Sequence, residues 1–273
     1  MNLALFRKTL RDVRWLLVLV PLGILLFDVA AIRVLIEGAR DLEFLRNWLE
    51  RPLVQFLVRT ALGADFAGEL TPTVLITFAF VHPLFFALLY TLLLAMTSGA
   101  LAGEVGRGTA DLLLTLPLSR SAVYLTTSLA WALVAAGAAL LPLGGLWLGE
   151  QIFQPATRLE YHRLWPVALN LLALTLGVGG VAMAISGAVS RRGVAIGIVL
   201  AGLLLSDIVH FVAQFWAAVR PLAVLGVIHY YRPLPAVRAA SPPWGDMAVL
   251  LGVGLAAWLA GWWHFRRRDI PAT

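Results

Sequence analysis

Ionisable side chains inside apolar sequence are where this chain could do chemistry, because a charge at membrane depth is expensive to keep. Asp207 and His210 stand three residues apart in the apolar run Gly193–Phe215, on one helix face. The pair allows three arrangements: a hydrogen-bonded couple inside a bundle, a contact for a substrate or ion, or a place at the outer interface, where water removes the cost. At about 1.5 Å per residue from Gly193, Asp207 lies roughly 21 Å along the helix, in its outer half. His82 precedes Pro83 in another apolar run. Proline frees a backbone carbonyl and predicts a kink there, with His82 as a helix–helix contact. Asn170 is expected to make an interhelical hydrogen bond. Asp28 and Arg33, near the end of the first apolar run, are expected to face the headgroups.

A second group is polar and clustered: Glu104, Arg107, Gly108, Thr109, Asp111, Leu112, Leu113, Pro117, Ser119 and Arg120. Gly106 and Gly108 predict the end of one helix. Thr109 then caps a short one, with Asp111 in its first turn near the exposed N–H groups, and Pro117 terminates it. A leucine-faced helix over about Ala110 to Leu116 follows. It is either a docking element or a connector tucked under the lipid. The absences also count. The chain has no cysteine, so it forms no disulfide, Fe–S or thiolate metal site. It has no Gly-x-x-x-x-Gly-Lys-Ser/Thr and no His-Glu-x-x-His. It therefore lacks a P-loop, and no metal or cofactor is expected to be bound by this chain.

The elements that position these residues follow from the charges. Of 273 residues, 60% are hydrophobic and 13% charged, about half the usual charged share of about 25%. No charge falls in 70–103, 121–149, 164–190 or 247–265. A span needs about 20 apolar residues, and barrel strands would alternate. The expected fold is all-α, a polytopic membrane protein with six transmembrane helices: Trp15–Leu35, Thr73–Thr97, Val123–Leu148, Trp165–Val189, Gly193–Phe215 and Met247–Phe265. Trp15, Trp147, Trp165 and Trp244 lie at span ends, as interfacial indoles do. Residues 1–14 form a basic amphipathic arm retained as part of the chain, not a cleaved signal.

Putting both termini, the 98–120 link and the Arg191–Arg192 turn on one side gives it eleven basic and four acidic residues (+7), against ten and eleven (−1) opposite. That side is cytoplasmic by the positive-inside rule. The net charge of +6 is thus a matter of topology, and nucleic acid is not an expected partner. Outside, Ala39–Leu62 predicts one amphipathic helix, lying on the membrane or packed on the bundle. The stretch 216–243, interrupted by Arg220, Pro221, Arg232 and Pro233, predicts broken helices before the last span and no seventh crossing. Small residues over Leu176–Gly187 and Gly252–Gly261 allow close helix approach, within the bundle or to a second subunit.

The pattern Glu104…Gly108–Thr109–x–Asp111–Leu112–Leu113…Pro117–x–Ser119–Arg120, between the second and third of six spans, resembles the ABC-2 type transporter permeases. The likeness extends over nearly the whole chain, including the basic arm, the broken segment before span six and the tail Phe265–Arg266–Arg267–Arg268–Asp269. The resemblance implies that residues 2–14 are an elbow helix and Asp111–Leu116 a coupling helix. It makes Glu104 the acid at the membrane–cytoplasm junction and the Arg191–Arg192 turn a second contact to the ATPase. It further implies a dimer of separate ATP-binding subunits, with ATP and Mg bound there, and a second permease copy, the same or different. The chain would then be a non-catalytic exporter subunit in the cytoplasmic (inner) membrane of a bacterium or archaeon. The other classes open are an ion-coupled secondary transporter centred on Asp207 and His210, and a non-transporting scaffold or signalling subunit for an ATPase-like partner.

Overall fold

The computed structural model describes residues 2–39, 42–62, 64, 70–106 and 119–268. Among these the chain is all-helical. Its elements are α1 (Leu3–Asp12), α2 (Leu16–Gly38), α3 (Leu42–Leu49), α4 (Pro52–Leu62), α5 (Pro72–Leu75), α6 (Pro83–Ala100), α7 (Ala102–Gly106), α8 (Arg120–Phe153), α9 (Tyr161–Ala188), α10 (Arg192–Phe215), α11 (Pro233–Ala239) and α12 (Trp244–Arg267). A 3₁₀ stretch, Ile76–Val81, follows α5, and two more, Arg220–Leu225 and Val227–Tyr230, lie between α10 and α11. Five helices (α2, α8, α9, α10 and α12) are long and apolar enough to cross a membrane, or six if the bent pair Pro72–Val81 and Pro83–Gly99 forms one span.

That pair bends by 49°, and the residues explain it. Pro83 has no N–H and forces His82 into extended backbone (φ −67°, ψ 133°). His82 Nδ1 then accepts a hydrogen bond from Leu84 N at 3.2 Å, capping α6. The expected kink is a full break. His82 is an exposed cap of α6 whose ring lies beside that of Phe27 in α2, 5.1 Å between centroids, which is the expected helix–helix contact.

Two boundaries differ from expectation. The single helix over Ala39–Leu62 is two, α3 and α4, because Pro52 starts a new helix where its missing N–H costs nothing. Leu49, Val58 and Leu62 are buried against the bundle, while Trp48, Leu53 and Leu57 face outward. The second span ends at Ala100, before the glycines: Leu101 leaves helical geometry (φ −121°, ψ −66°), and α7 then runs to Gly106.

The centre is α9, flanked by α12, α8, α6 and α10. A Cβ built on Gly177 would stand 2.7 Å from Leu250 O, and one on Gly180 only 2.3 Å from Gly254 O. The α9–α12 seam is therefore backbone against backbone. This assigns the 176–187 stripe to packing within the bundle. Tyr124 Oη donates to Trp258 O at 3.0 Å, and Trp258 Nε1 to Ser128 Oγ at 2.8 Å, tying α8 to the same seam. The segment 216–243 is broken as expected, into two 3₁₀ stretches and a short α11.

Candidate functional site

One end of the bundle gathers charged side chains from five elements. Glu104 in α7 is buried, its side chain 7% exposed, and accepts a hydrogen bond from Lys8 Nζ of α1 at 2.7 Å. Lys8 also reaches Asp12 Oδ2 at 3.1 Å, one turn along its own helix. Burial pulls the Lys8 ammonium down, but the hydrogen bonds and charges of Glu104 and Asp12 outweigh it, and the net displacement is upward from the ordinary 10.5. Beside the pair, Arg192 at the start of α10 donates to Ser98 Oγ at 3.3 Å and Ala95 O at 3.4 Å near the end of α6. A cavity of about 50 Å³ remains between Lys8, Asp12, Glu104, Thr127 and Arg192.

The same end continues through the turn between α9 and α10. A Cβ on Gly106 would stand 3.0 Å from Ser190 O, so α7 abuts that turn closely. Ser186 Oγ accepts from Ala102 N at 3.2 Å. Arg268 donates to Gly187 O at 3.0 Å and Val189 O at 3.1 Å, while its own carbonyl accepts from the Arg120 guanidinium. Ser119 Oγ caps α8, accepting from Ala122 N at 3.1 Å, so Arg120 is the first residue of a long helix. Arg266 and Arg267 stack on Trp262 and Trp263, 4.9 and 4.2 Å from the ring centroids. Arg191 is exposed on the turn. Glu104, Arg120, Arg191, Arg192 and Arg268 thus share one junction. Arg107, Gly108, Thr109, Asp111, Leu112, Leu113, Pro117 and Asp269 lie outside the described residues.

The other sequence candidates do not converge. His210 is buried, but its Nε2 lies 3.3 Å from Thr60 O of α4 and its ring 6.0 Å from that of His229. Asp207 is exposed and makes no hydrogen bond to His210, so of the three arrangements the hydrogen-bonded couple is not formed. Although the two positions neighbour each other on one face of α10, the His210 ring turns to α4 while Asp207 stays exposed. Asn170 is fully buried but does not bond another long helix. Its Nδ2 donates to Tyr230 O at 3.1 Å, and its Oδ1 accepts from Arg232 N at 3.0 Å, holding the broken segment's backbone.

Sequence reasoning missed two groups and misplaced a third. Lys8 was only one basic residue among several, and its partner is 96 residues away. Glu150 is buried and accepts from Leu159 N at 2.6 Å and Tyr161 Oη at 2.9 Å, closing the loop before α9. Asp28, expected at the headgroups, is 1% exposed, and its Oδ2 has no hydrogen-bond partner. It fits into α2–α8 because Gly145 leaves it room: a Cβ there would stand 2.7 Å from Asp28 Cβ. Arg33 pairs instead with Glu37 at 2.6 Å. An unpaired buried polar group costs about 1–3 kcal/mol. Asp28→Ala is therefore expected to raise the melting temperature in detergent by a few degrees. A fall would mean that the carboxyl helps hold α2 on α8.

No family model matches the chain, and no curated protein matches its sequence. Among the described residues, no group of three His, Cys, Asp or Glu could hold a metal ion.

Proposed function

We propose that the chain is the membrane-spanning permease subunit of an ATP-driven ABC-2 type transporter, an exporter with six spans and both termini in the cytoplasm. In this reading the bent pair is the second span. A second permease copy and two ATP-binding subunits complete the complex, and those subunits bind ATP and Mg. The observation that carries the reading is the polar junction. Both described edges of the 107–118 segment, Glu104–Gly106 and Ser119–Arg120, belong to a junction that also holds α1, the Arg191–Arg192 turn and Arg268. A segment held on both sides by helices of the bundle can pass a push from a docked ATPase into α6 and α8. The sequence resemblance points to an ATP-binding subunit as that partner, and the +7 charge of this side supports a cytoplasmic position.

The test is co-purification with an ABC ATP-binding protein, sought first among the genes that neighbour this one. Wild type is expected to form a stable complex whose ATP hydrolysis rises above that of the ATPase alone. Asp111→Arg and Leu113→Arg are expected to lose at least tenfold of that stimulation while the permease keeps its own melting temperature. Full stimulation in both variants would sink the assignment of the segment. Transport by the chain alone, lost in Asp207→Asn, would replace the reading with a gradient-driven carrier.

A further inference from the structure

At the other end of the bundle, a groove of about 510 Å³ runs between α9, α10 and α12. Gly177, Val199, Gly202, Leu250 and Val253 form its apolar walls. The two 3₁₀ stretches close it as a roof: Val227 N donates to Ser206 Oγ of α10 at 2.7 Å, and Tyr230 Oη to Val224 O at 2.7 Å. Ile198 and Val253, both in the lining, are 47% and 58% exposed, so the groove opens sideways onto the face that α10 and α12 present to their surroundings. The roof segment is basic. From Trp216 to Asp246 it carries Arg220, Arg232 and Arg238 against Asp246 alone. Arg220 is exposed, and its guanidinium has no hydrogen bond or ion pair among the described residues; it stands one turn before Val224 of the lining. Arg232, two residues past Tyr230, bonds His229 O at 3.0 Å and lies 3.6 Å from Asp246.

We propose that this groove seats one acyl chain of an anionic phospholipid whose phosphate is held at the roof by Arg220 and Arg232. Apolar walls open to the bilayer suit a hydrocarbon chain, and the excess of guanidinium over carboxylate along the segment that forms the roof selects a negative headgroup. An Arg with no partner among the described residues, one turn from a groove whose lining is nearly all apolar, is the charge complement that separates this site from lipid simply surrounding the bundle. The inference needs α10 and α12 to stand in a membrane. It does not rest on the ATP-coupled reading, and its test uses no ATPase.

Gly202 makes the test clean. A Cβ there meets no heavy atom within 4 Å, so a larger side chain fills the groove without displacing the protein. Gly197, on the same helix with the same open space, is not in the lining and serves as the control. The full chain in detergent is titrated with dioleoylphosphatidylglycerol, or with dioleoylphosphatidylcholine, and bound lipid is counted by native mass spectrometry. Wild type is expected to hold one phosphatidylglycerol per chain at least tenfold more tightly than phosphatidylcholine. Gly202→Leu is expected to weaken phosphatidylglycerol at least tenfold and Gly197→Leu not at all. Arg220→Ala is expected to bring it down to the phosphatidylcholine level. Equal retention of the two lipids, or wild-type binding by Gly202→Leu, would overturn the proposal. So would a Gly202→Leu effect that appears only as loss of a dimer, because a second copy of the chain would then be the occupant.

Discussion

Replacing Gly180 by leucine is expected to abolish the folded bundle. A Cβ at this position would stand 2.3 Å from Gly254 O and 2.8 Å from its carbonyl carbon. Both are backbone atoms, so no rotamer change relieves the clash. The same seam recurs along α12, where a Cβ on Gly254 would meet Gly177 Cα at 2.6 Å and one on Gly261 would meet Ala184 Cα at 2.5 Å. One leucine therefore forces α9 and α12 apart over several turns. Overpacking a core costs about 1–3 kcal/mol when side chains can adjust, and more when they cannot; here it should exceed ~3 kcal/mol. Gly252→Leu, on the same helix, meets nothing within 4 Å and should stay within about 0.5 kcal/mol. Size-exclusion profiles and tryptophan-monitored melting of the two variants decide the point. If Gly180→Leu elutes and melts like Gly252→Leu, the backbone seam is wrong.

That seam also marks how far the sequence could be read. Glycines spaced along an apolar run announce close approach, but they do not say which surface comes close. Gly180 and Gly254 meet each other, while Gly197, Gly202 and Gly252 face open space in equally apolar helices. The deciding feature is the orientation of each helix about its own axis, which tertiary contacts set. The long apolar helices themselves were legible, because the gaps between charges are as long as the elements. The break at His82–Pro83 was legible as a kink only, since proline announces a lost hydrogen bond but not how far the neighbours allow the chain to bend.

The polar residues were the least legible. Asp28 looks interfacial beside Arg33, yet Gly145 on α8 opens a space that draws it inside. Asp207 and His210 have the spacing of a pair and stand only about 60° apart around the helix, yet the neighbouring α4 offers Thr60 O to His210 and leaves Asp207 exposed. In contrast, Glu104 was chosen from its place in a motif, and the structure supplied what the motif lacked: a lysine partner far away in sequence, on the N-terminal arm.

Reversing the charge of Glu104 is expected to release that arm. Glu104→Lys puts two ammonium groups at the 2.7 Å contact with Lys8, in a place where the glutamate side chain is only 7% exposed. An exposed pair contributes about 1 kcal/mol or less, and breaking a buried one costs ~3–5 kcal/mol. With Lys8 itself 43% exposed, the loss should fall between them. The readout is disulfide cross-linking, for which a chain without cysteine is a clean background. Thr9→Cys in α1 and Met96→Cys in α6 line the same small cavity. They are expected to cross-link readily in the otherwise wild-type chain and at least tenfold more slowly with Glu104→Lys. The swap Lys8→Glu with Glu104→Lys should recover most of the rate, which a merely misfolded variant would not. The sign with pH follows from Lys8, whose pKa is raised on folding. Its contribution to holding the arm is complete below the ordinary lysine value of 10.5 and is lost as pH rises through the shifted value. Once the rate is divided by the thiolate fraction of an unconstrained cysteine at each pH, cross-linking should therefore hold level from neutrality to pH 9 on the lysine side and fall only in strong alkali. If Glu104→Lys cross-links at the wild-type rate, the pair does not hold the arm.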